Sequence, residues 1–492
     1  MPTFAHEQLA VWTGGRWTCP PGAALTGFSQ DTRTLAPGQV FVALRTEKRD
    51  GHDFLAEAEG RGAVAALVAR EVPGAGLPQL VVADPLAAFQ RIAREHRLEF
   101  HGTVVGVTGS AGKTSTKDLL ALLLGGDADE VGPHSNRSMT VVAGVGDPGP
   151  ASPRPATVAT ASRVLKTEGN LNNCIGVPLT LTRLERAVHR AAVVEAGISL
   201  PDEMATLAEM IEPDHSVVTL VGPAHLEQLG TVAGVAAEKA RLPAANRRGG
   251  LAVFPAACWQ YEPFRVLANP LVLVPATGDM IRIPGRTLGF TVLHRPERTE
   301  VTLGGRRPFV LRRVSGGMAQ NAALALALAA ELGVADAQLR ERLAGWVPSK
   351  WRGELQQVGT ALVYSDFYNA NPASMQDAIT AFAGLVRPEL PRLYVLGCME
   401  ELGSGAPEYH RQLGRSLVLR PCDFLYVLGG HADAVRAGLL ENGNDPAQVA
   451  VITEVAPVRE RLAGFTGAVF LKASRRYRLE TILDPQCAAT AH

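Results

Sequence analysis

The sequence predicts an α/β fold in three domains, and two observations carry that expectation. A β-branched run at 103–107 (TVVGV) passes through a glycine-rich turn into an amphipathic stretch at 113–124, the strand–turn–helix grammar of a parallel sheet. A second series of the same kind begins near residue 361 and runs to about 471. The length agrees, since 492 residues at roughly 150 per domain make about three domains.

Residues 28–96 read as short strands and helices. FVAL (41–44) is strand-like, 54–62 is helical, and AVAALVA (63–69) is apolar enough for a buried strand. The next unit opens at about residue 100, where TVVGV begins. Within it, 125–162, which contains GDPGPASPRPA, is rich in Gly, Pro, Ala and Ser without sustained periodicity and reads as a flexible insertion. Strand-like runs recur at 191–194 and 216–221, with helical segments between and after them. From about 271 to 314 the pattern changes to short alternating runs such as TLGFTVL and PFVLRRV, which suggests an antiparallel extension. The Ala/Leu-rich segment 320–332 is a helix ending at Gly333. After WVPSKWRGE (346–354) come strands at 361–365, 392–396, 424–428 and 468–471, with helices at 373–385 and 408–419.

Composition excludes several classes. Hydrophobic residues at 46% and charged residues at 20% rule out a mainly disordered chain. Lys plus Arg and Asp plus Glu are each 48, and zero net charge argues against a protein whose main business is nucleic acid. The six cysteines (Cys19, Cys174, Cys258, Cys398, Cys422, Cys487) form no CxxC pair and no zinc-like spacing, which fits a reduced, cytoplasmic compartment. MPTFAHEQLA does not look like a signal peptide. No apolar run approaches the roughly 20 residues that cross a bilayer, so a soluble protein is expected.

The sharpest chemical signal is Gly109-Ser110-Ala111-Gly112-Lys113-Thr114-Ser115, between a strand and a helix. A phosphate chain carries several negative charges, and this context supplies backbone N–H groups, a helix N-terminus, an ammonium and a hydroxyl for Mg²⁺. It is a variant: the usual GxxxxGK[ST] spacing asks for glycine at Val107, and the nearest glycines are Gly106 and Gly109. Glu195 directly follows a strand, where open α/β sheets place ligand-binding groups, and a hard cation takes carboxylate oxygens.

TGSAGKTST (108–116) resembles the phosphate loop of the Mur ligases. TEGNLNNCIGVPLTL (167–181) and DFYNANPASM (366–375) look like the branch of that family that adds D-alanyl-D-alanine to the peptidoglycan precursor. DTRTLAPGQVFVAL (31–44) and DGHDF (50–54) are similar to that branch's UDP-binding domain, and GCMEELG (397–403) and LKASR (471–475) resemble its ligand-closing domain.

The resemblance implies a small UDP-substrate-binding domain over 1–99 and a central phosphate-loop ATP-binding domain with a mostly parallel sheet over 100–347. A doubly wound ligand-closing domain over 348–492 completes it. The implied reaction is ATP-dependent amide formation: phosphorylation of the terminal carboxylate of UDP-muramoyl tripeptide gives an acyl phosphate, which the amine of D-alanyl-D-alanine attacks. ATP and Mg²⁺ are the implied cofactors. The two substrates are the implied partners of a monomer that binds neither nucleic acid nor membrane.

By the same resemblance Lys113, Glu195, His225 and Lys239 are catalytic, and Thr114, Glu195 and His225 ligate metal. The nucleotide is held by Gly109, Ser110, Ala111, Gly112, Lys113, Thr114 and Ser115, with Asn321, Arg352 and Asp366. Thr32, Arg33, Asn170, Asn172, Asn173, Tyr368, Asn369 and Asn371 face the substrates. Lys239 matches a lysine that carries a carbamate in several Mur ligases; a helix lysine paired with Glu238 or a neighbouring acid is the other reading. Gln320 and Leu324 depart from the family pattern and bear on adenine recognition, while Cys174, Cys398 and Ala473 depart from it and bear on positioning of the peptide and dipeptide, not on reaction class. Two alternatives stay open: another Mur-type or a folylpolyglutamate-type amide ligase, the latter discriminated by the N-terminal domain, which here looks like a UDP binder, and a non-catalytic nucleotide-binding scaffold.

Overall fold

The structure is a computed structural model and describes residues 2–126, 163–276 and 283–483. Three sheets follow one another along the chain. The first comprises β1 (Arg16–Trp17), β2 (Phe28–Ser29), β3 (Val40–Val42), β4 (Ala65–Val68) and β5 (Gln79–Val81), in the order β1-β5-β4-β3-β2. Only β1 runs antiparallel to its neighbour. Strand β4 is buried along its whole length, which is why AALV shows no polar alternation.

Helix Pro85–Leu98 joins this sheet to the next unit. Asp84 caps it, accepting from Leu86 N at 2.8 Å and Ala87 N at 3.2 Å, and Pro85 brings a preset φ to the first turn. Phe89 and Ile92 lie in the core of the first sheet. Ala93 lies instead in a core shared with Val104 and Leu207.

The second sheet comprises β6 (Thr103–Thr108), β7 (Val164–Lys166), β8 (Ala191–Glu195), β9 (His215–Val218), β10 (Ala252–Pro255), β11 (Pro270–Pro275), β12 (Arg286–His294), β13 (Arg298–Leu303) and β14 (Phe309–Arg312). Their order is β14-β13-β12-β11-β10-β9-β6-β8-β7. Every pairing from β7 across to β12 is parallel, and β13 and β14 are added antiparallel. The antiparallel part therefore starts at β12, not at 271: PLVLVP in β11 is a continuous apolar run, and it is taken into the parallel part. Beyond Gly126, the insertion read at 125–162 lies outside the described residues. Strands β8 and β9 flank β6 on opposite sides, so β6 is the point where winding reverses and where such sheets bind ligands at their strand C-termini.

The Ala/Leu-rich helix is Gly316–Glu331. It starts four residues before the expected 320 because Ser315 Oγ accepts from Met318 N at 3.1 Å and closes the first turn. Gly333, at φ +84°, follows its end. Residues 321–329 are all buried, as a helix apolar on every face requires.

The third sheet comprises β15 (Glu354–Val358), β16 (Ala361–Ser365), β17 (Arg392–Gly397), β18 (Phe424–Leu428), β19 (Val449–Ile452) and β20 (Ala468–Lys472), in the order β15-β16-β20-β17-β18-β19. It is parallel except for the edge strand β15. Helix Pro372–Leu385 matches expectation within a residue. The helix read at 408–419 is Ala406–Arg415; beyond it, the Leu417 carbonyl accepts from the side chains of Asn442 and Asn444, which hold the chain in a turn. Among the described residues no helix is long and apolar enough to cross a membrane.

Candidate active site

Segments from all three sides of β6 converge at its C-terminal end. Gly109 leaves the strand at φ +151°, and a Cβ there would meet Thr219 Oγ1 at 1.9 Å; at Gly112, φ +78°, a Cβ would meet Asn321 Nδ2 at 2.1 Å. Both glycines are required by close approach as well as by backbone conformation. Gly112 immediately precedes helix Lys113–Leu123, so the loop amides and the helix N-terminus lie together. Thr219, just past β9, donates to Ala111 O at 2.5 Å, and Ser110 Oγ donates to Gly222 O at 3.0 Å. Lys113 Nζ folds back to donate to Gly109 O at 3.0 Å. Burial lowers the Lys113 pKa from the usual lysine value; the Glu195 carboxylate opposes that shift, and Arg352 adds to it.

Glu195 ends β8 and is 1% exposed. Its N–H donates to Thr167 Oγ1 at 2.9 Å, and its Oε1 accepts from Asn172 Nδ2 at 2.7 Å. Its Oε2 is buried with no hydrogen-bond partner. Leaving a buried polar atom unserved costs on the order of 1–3 kcal/mol, and a hard cation would serve it. Thr114 Oγ1 accepts from Arg352 Nη2 at 3.1 Å. His225 takes the left-handed conformation at φ +54°, and its Nδ1 meets the Glu401 carboxylate of the third sheet's unit. Thr114, Glu195 and His225 all line one cleft of about 560 Å³. Among the described residues no group of three or more His, Cys, Asp or Glu is placed to hold a metal. A hydroxyl and one carboxylate fit Mg²⁺ when substrate phosphates supply further oxygens.

Lys239 is fully buried in helix Val232–Ala244, and its Nζ has no hydrogen-bond partner. The pairing with Glu238 considered from the sequence is not formed; Glu238 turns to Arg241 at 3.2 Å. Burial first, and then the like charge of Lys113, push the Lys239 amine well below the ordinary lysine value.

The third unit roofs the cleft. The Arg352 guanidinium lies 4.1 Å from the centre of the Tyr368 ring. Asp366 pairs with Lys472 Nζ at 2.8 Å, and the same ammonium donates to Asn369 O at 3.1 Å. Asn371 Nδ2 donates to Ser110 O at 2.9 Å, and Asp377 Oδ1 accepts from Gly317 N at 2.8 Å.

Asn170, Asn172, Asn173, Tyr368, Asn369, Asn371, Asn321, Arg352 and Asp366 all line the cleft; Thr32 and Arg33 do not. Those two lie in the turn after β2, where Arg33 pairs with Asp31 at 2.7 Å. Two of the asparagines carry structural duties. Asn173 Oδ1 accepts from Ile175 N and Gly176 N at the start of helix Gly176–Leu181, and Asn172 orients Glu195. Thr167, Thr219, Asp377 and Glu401 were missed from the sequence. Both threonines directly follow strands whose ends the structure sets at Lys166 and Val218, whereas the sequence pattern carries the second strand on to 221.

A phosphate loop at the switch point of a parallel sheet, roofed by a second doubly wound unit, defines a nucleotide-dependent enzyme of the α/β class. The chain belongs to the Mur ligase family: the Mur ligase middle domain matches residues 107–267, and the Mur ligase, glutamate ligase domain matches 351–474. The UDP-N-acetylmuramoyl-tripeptide--D-alanyl-D-alanine ligase of Synechocystis sp. is 32% identical over 419 residues, covering 83% of this chain and 80% of that protein. The Escherichia coli protein of the same name is 29% identical over 478 residues, 93% of each. Among solved structures, MurF ligase from Thermotoga maritima in complex with ADP has a TM-score of 0.72 at 27% identity, over 93% of this chain and 96% of that one.

Proposed function

We propose that the protein joins the amine of D-alanyl-D-alanine to the terminal carboxylate of UDP-N-acetylmuramoyl tripeptide, with ATP converted to ADP and phosphate. The carrying observation is the cleft itself, in which Lys113, Glu195 and the loop amides of the central unit face Tyr368, Asn369 and Asp366 of the third. The names borne by the relatives support this choice of substrates. In this reading residues 1–99 bind the UDP moiety, with Thr32 and Arg33 in that site; 100–347 bind nucleotide, and 348–492 close over the reaction. The protein acts in the cytoplasm as a monomer.

A carboxylate is a poor electrophile, and phosphorylation gives it a leaving group. The peptide carboxylate oxygen takes the γ-phosphoryl group; the amine nitrogen then forms the new C–N bond, and the C–O bond to phosphate breaks as the amine loses its proton. Lys113 and the loop amides neutralise charge on the transferring phosphoryl group. Arg352, braced on Tyr368, adds a second cation from the hinge. Mg²⁺, held by Thr114 and Glu195 with His225 nearby, would supply charge neutralisation and alignment of the phosphate oxygens. Closure of the third unit keeps water from the acyl phosphate.

Lys239 is assigned a carbamate. A neutral amine is what reacts with carbon dioxide, and burial beside Lys113 favours the neutral amine. Nζ forms an N–C bond to carbon dioxide and gives up one proton to solvent, so a neutral amine beside the Lys113 cation becomes an anion beside it.

Incubation with ATP, Mg²⁺, UDP-muramoyl tripeptide and D-alanyl-D-alanine, followed by mass analysis, tests the reading. A product heavier by the dipeptide less water supports it. Addition of a single amino acid to a shorter precursor moves the protein to a neighbouring branch, and glutamate addition to a folate overturns the assignment of the first unit.

A further inference from the structure

We propose that Asn371 is a positioning residue that reports closure of the third unit to the phosphate loop. The inference rests on the ligase reading above and gives a different task to a side chain expected from the sequence to touch substrate. Asn371 is the N-cap of helix Pro372–Leu385. Its Oδ1 accepts from Ser374 N at 2.9 Å, and its N–H donates to Ser374 Oγ at 3.1 Å. The capping box takes the oxygen and leaves Nδ2, which crosses to the central unit and donates to Ser110 O at 2.9 Å. Both residues are buried.

That bond lands on one peptide unit. The Ser110 carbonyl shares its plane with the Ala111 N–H, a member of the phosphate loop. A donor on the carbonyl orients the plane and polarises it, so the N–H on the opposite side becomes a stronger donor. The rest of Ser110 is set from within the central unit: its N–H donates to Leu220 O at 2.8 Å, and its Oγ exchanges hydrogen bonds with Gly222 at 3.0 and 3.1 Å. The carbonyl is where the third unit acts. Docking sets the amide that meets the transferring phosphoryl group, and electrostatic catalysis depends on such preorganisation.

Asn371→Asp keeps an equally good N-cap but turns an oxygen toward the Ser110 carbonyl. Asn371→Ser keeps a cap too short to reach it. In both variants turnover is expected to fall at least about tenfold, as misplacement of catalytic groups does, with each KM within about threefold of wild type. The melting temperature of Asn371→Ser should stay within about 2 °C of wild type, whereas Asn371→Asp, which buries a carboxylate, should melt somewhat lower. With ADP bound, solvent exchange of the Ala111 amide should quicken by about tenfold in both variants, a readout that does not depend on the acceptor joined. Wild type that forms no dipeptide product while this exchange difference stands would sink the ligase reading and leave the role of Asn371 supported. Unchanged exchange, a KM change without a turnover change, or a large loss of melting temperature in both variants would each overturn the proposal.

Discussion

Asn172 Nδ2 donates to Glu195 Oε1 at 2.7 Å, while Glu195 Oε2 is buried with no partner. One oxygen is oriented so that the other can be offered to a ligand. Glu195→Gln keeps the shape and removes the charge, so turnover should fall about a hundredfold or more and its dependence on Mg²⁺ should weaken. Binding of UDP-muramoyl tripeptide, measured by calorimetry, should persist because that site is assigned to the first unit. Asn172→Ala should raise the Mg²⁺ needed for half-maximal rate. Identical Mg²⁺ titrations in both variants and wild type would remove the metal role.

Lys113 provides the central positive charge of the loop. Lys113→Ala should lower ligase turnover by at least about a hundredfold, the scale for loss of one electrostatic donor, with the far-ultraviolet circular dichroism spectrum unchanged. A fully active variant would remove the phosphoryl-transfer assignment.

Lys239 is buried without a partner, so a carbamate there makes two separable predictions. Intact mass measured under carbon dioxide at mildly alkaline pH should show one labile adduct that Lys239→Ala lacks. The slow Lys239→Ala enzyme should be partly rescued by small carboxylates such as formate or acetate, which can occupy the vacated space. Wild-type kinetics in the variant would return Lys239 to a structural helix position.

What the sequence revealed, and what it hid, follows the range of the interactions. The phosphate loop was legible because β-branched residues, glycines and an amphipathic helix stand consecutively, and Gly112 and Lys113 carry their chemistry locally. The roles of Thr219, Asp377 and Glu401 depend on partners more than 50 residues away, and no periodicity encodes such contacts. β15, ELQQV, carries no strand signal because an edge strand of this kind lacks an apolar run. The antiparallel extension begins at β12 and not at 271; β11 and β12 are both rich in β-formers, and composition does not encode strand direction, which depends on the connection. Asn173 lines the cleft and also accepts from Ile175 N and Gly176 N, a local duty that the sequence pattern does not separate from a ligand contact.

The role of Arg97 rests on partners of the same long range, and it joins the first unit's helix to the central unit. It is wholly buried. Its guanidinium donates to Ile211 O at 2.9 Å, Glu212 O at 2.9 Å, Phe100 O at 3.1 Å and Asp214 Oδ2 at 3.1 Å. Helix Pro85–Leu98 is thereby fastened to the central unit. Arg97→Met should cost about 3 kcal/mol or more, since it strands several acceptors and a paired carboxylate. Chemical denaturation would show it as a lower midpoint; a loss below about 1 kcal/mol, the scale of an exposed pair, would mean the contact is not holding the units together.

Stability should also depend on pH in a defined direction. His96, His189, His215 and His410 are all held below the ordinary imidazole value, chiefly by burial. Three of them accept a backbone N–H, which only the neutral ring can do: His189 Nδ1 from Glu185 at 2.9 Å, His215 Nδ1 from Leu251 at 3.0 Å, and His410 Nε2 from Met399 at 2.9 Å. Near the unfolded value of about 6.5 the unfolded chain binds more protons than the folded one, so stability rises with pH there. The contribution is complete above that value and is lost as pH falls below it, by roughly 1.4 kcal/mol per pH unit for each proton taken up on unfolding. Urea denaturation between about pH 5.5 and 7.5 should show the midpoint falling toward acid with an unchanged m-value. His410→Gln can still accept from Met399 N but does not titrate, so its midpoint should fall less steeply than that of wild type. Equal slopes in the two proteins would show that His410 is not among the groups that titrate, and a stability maximum at the acid end would refute the sign of the argument.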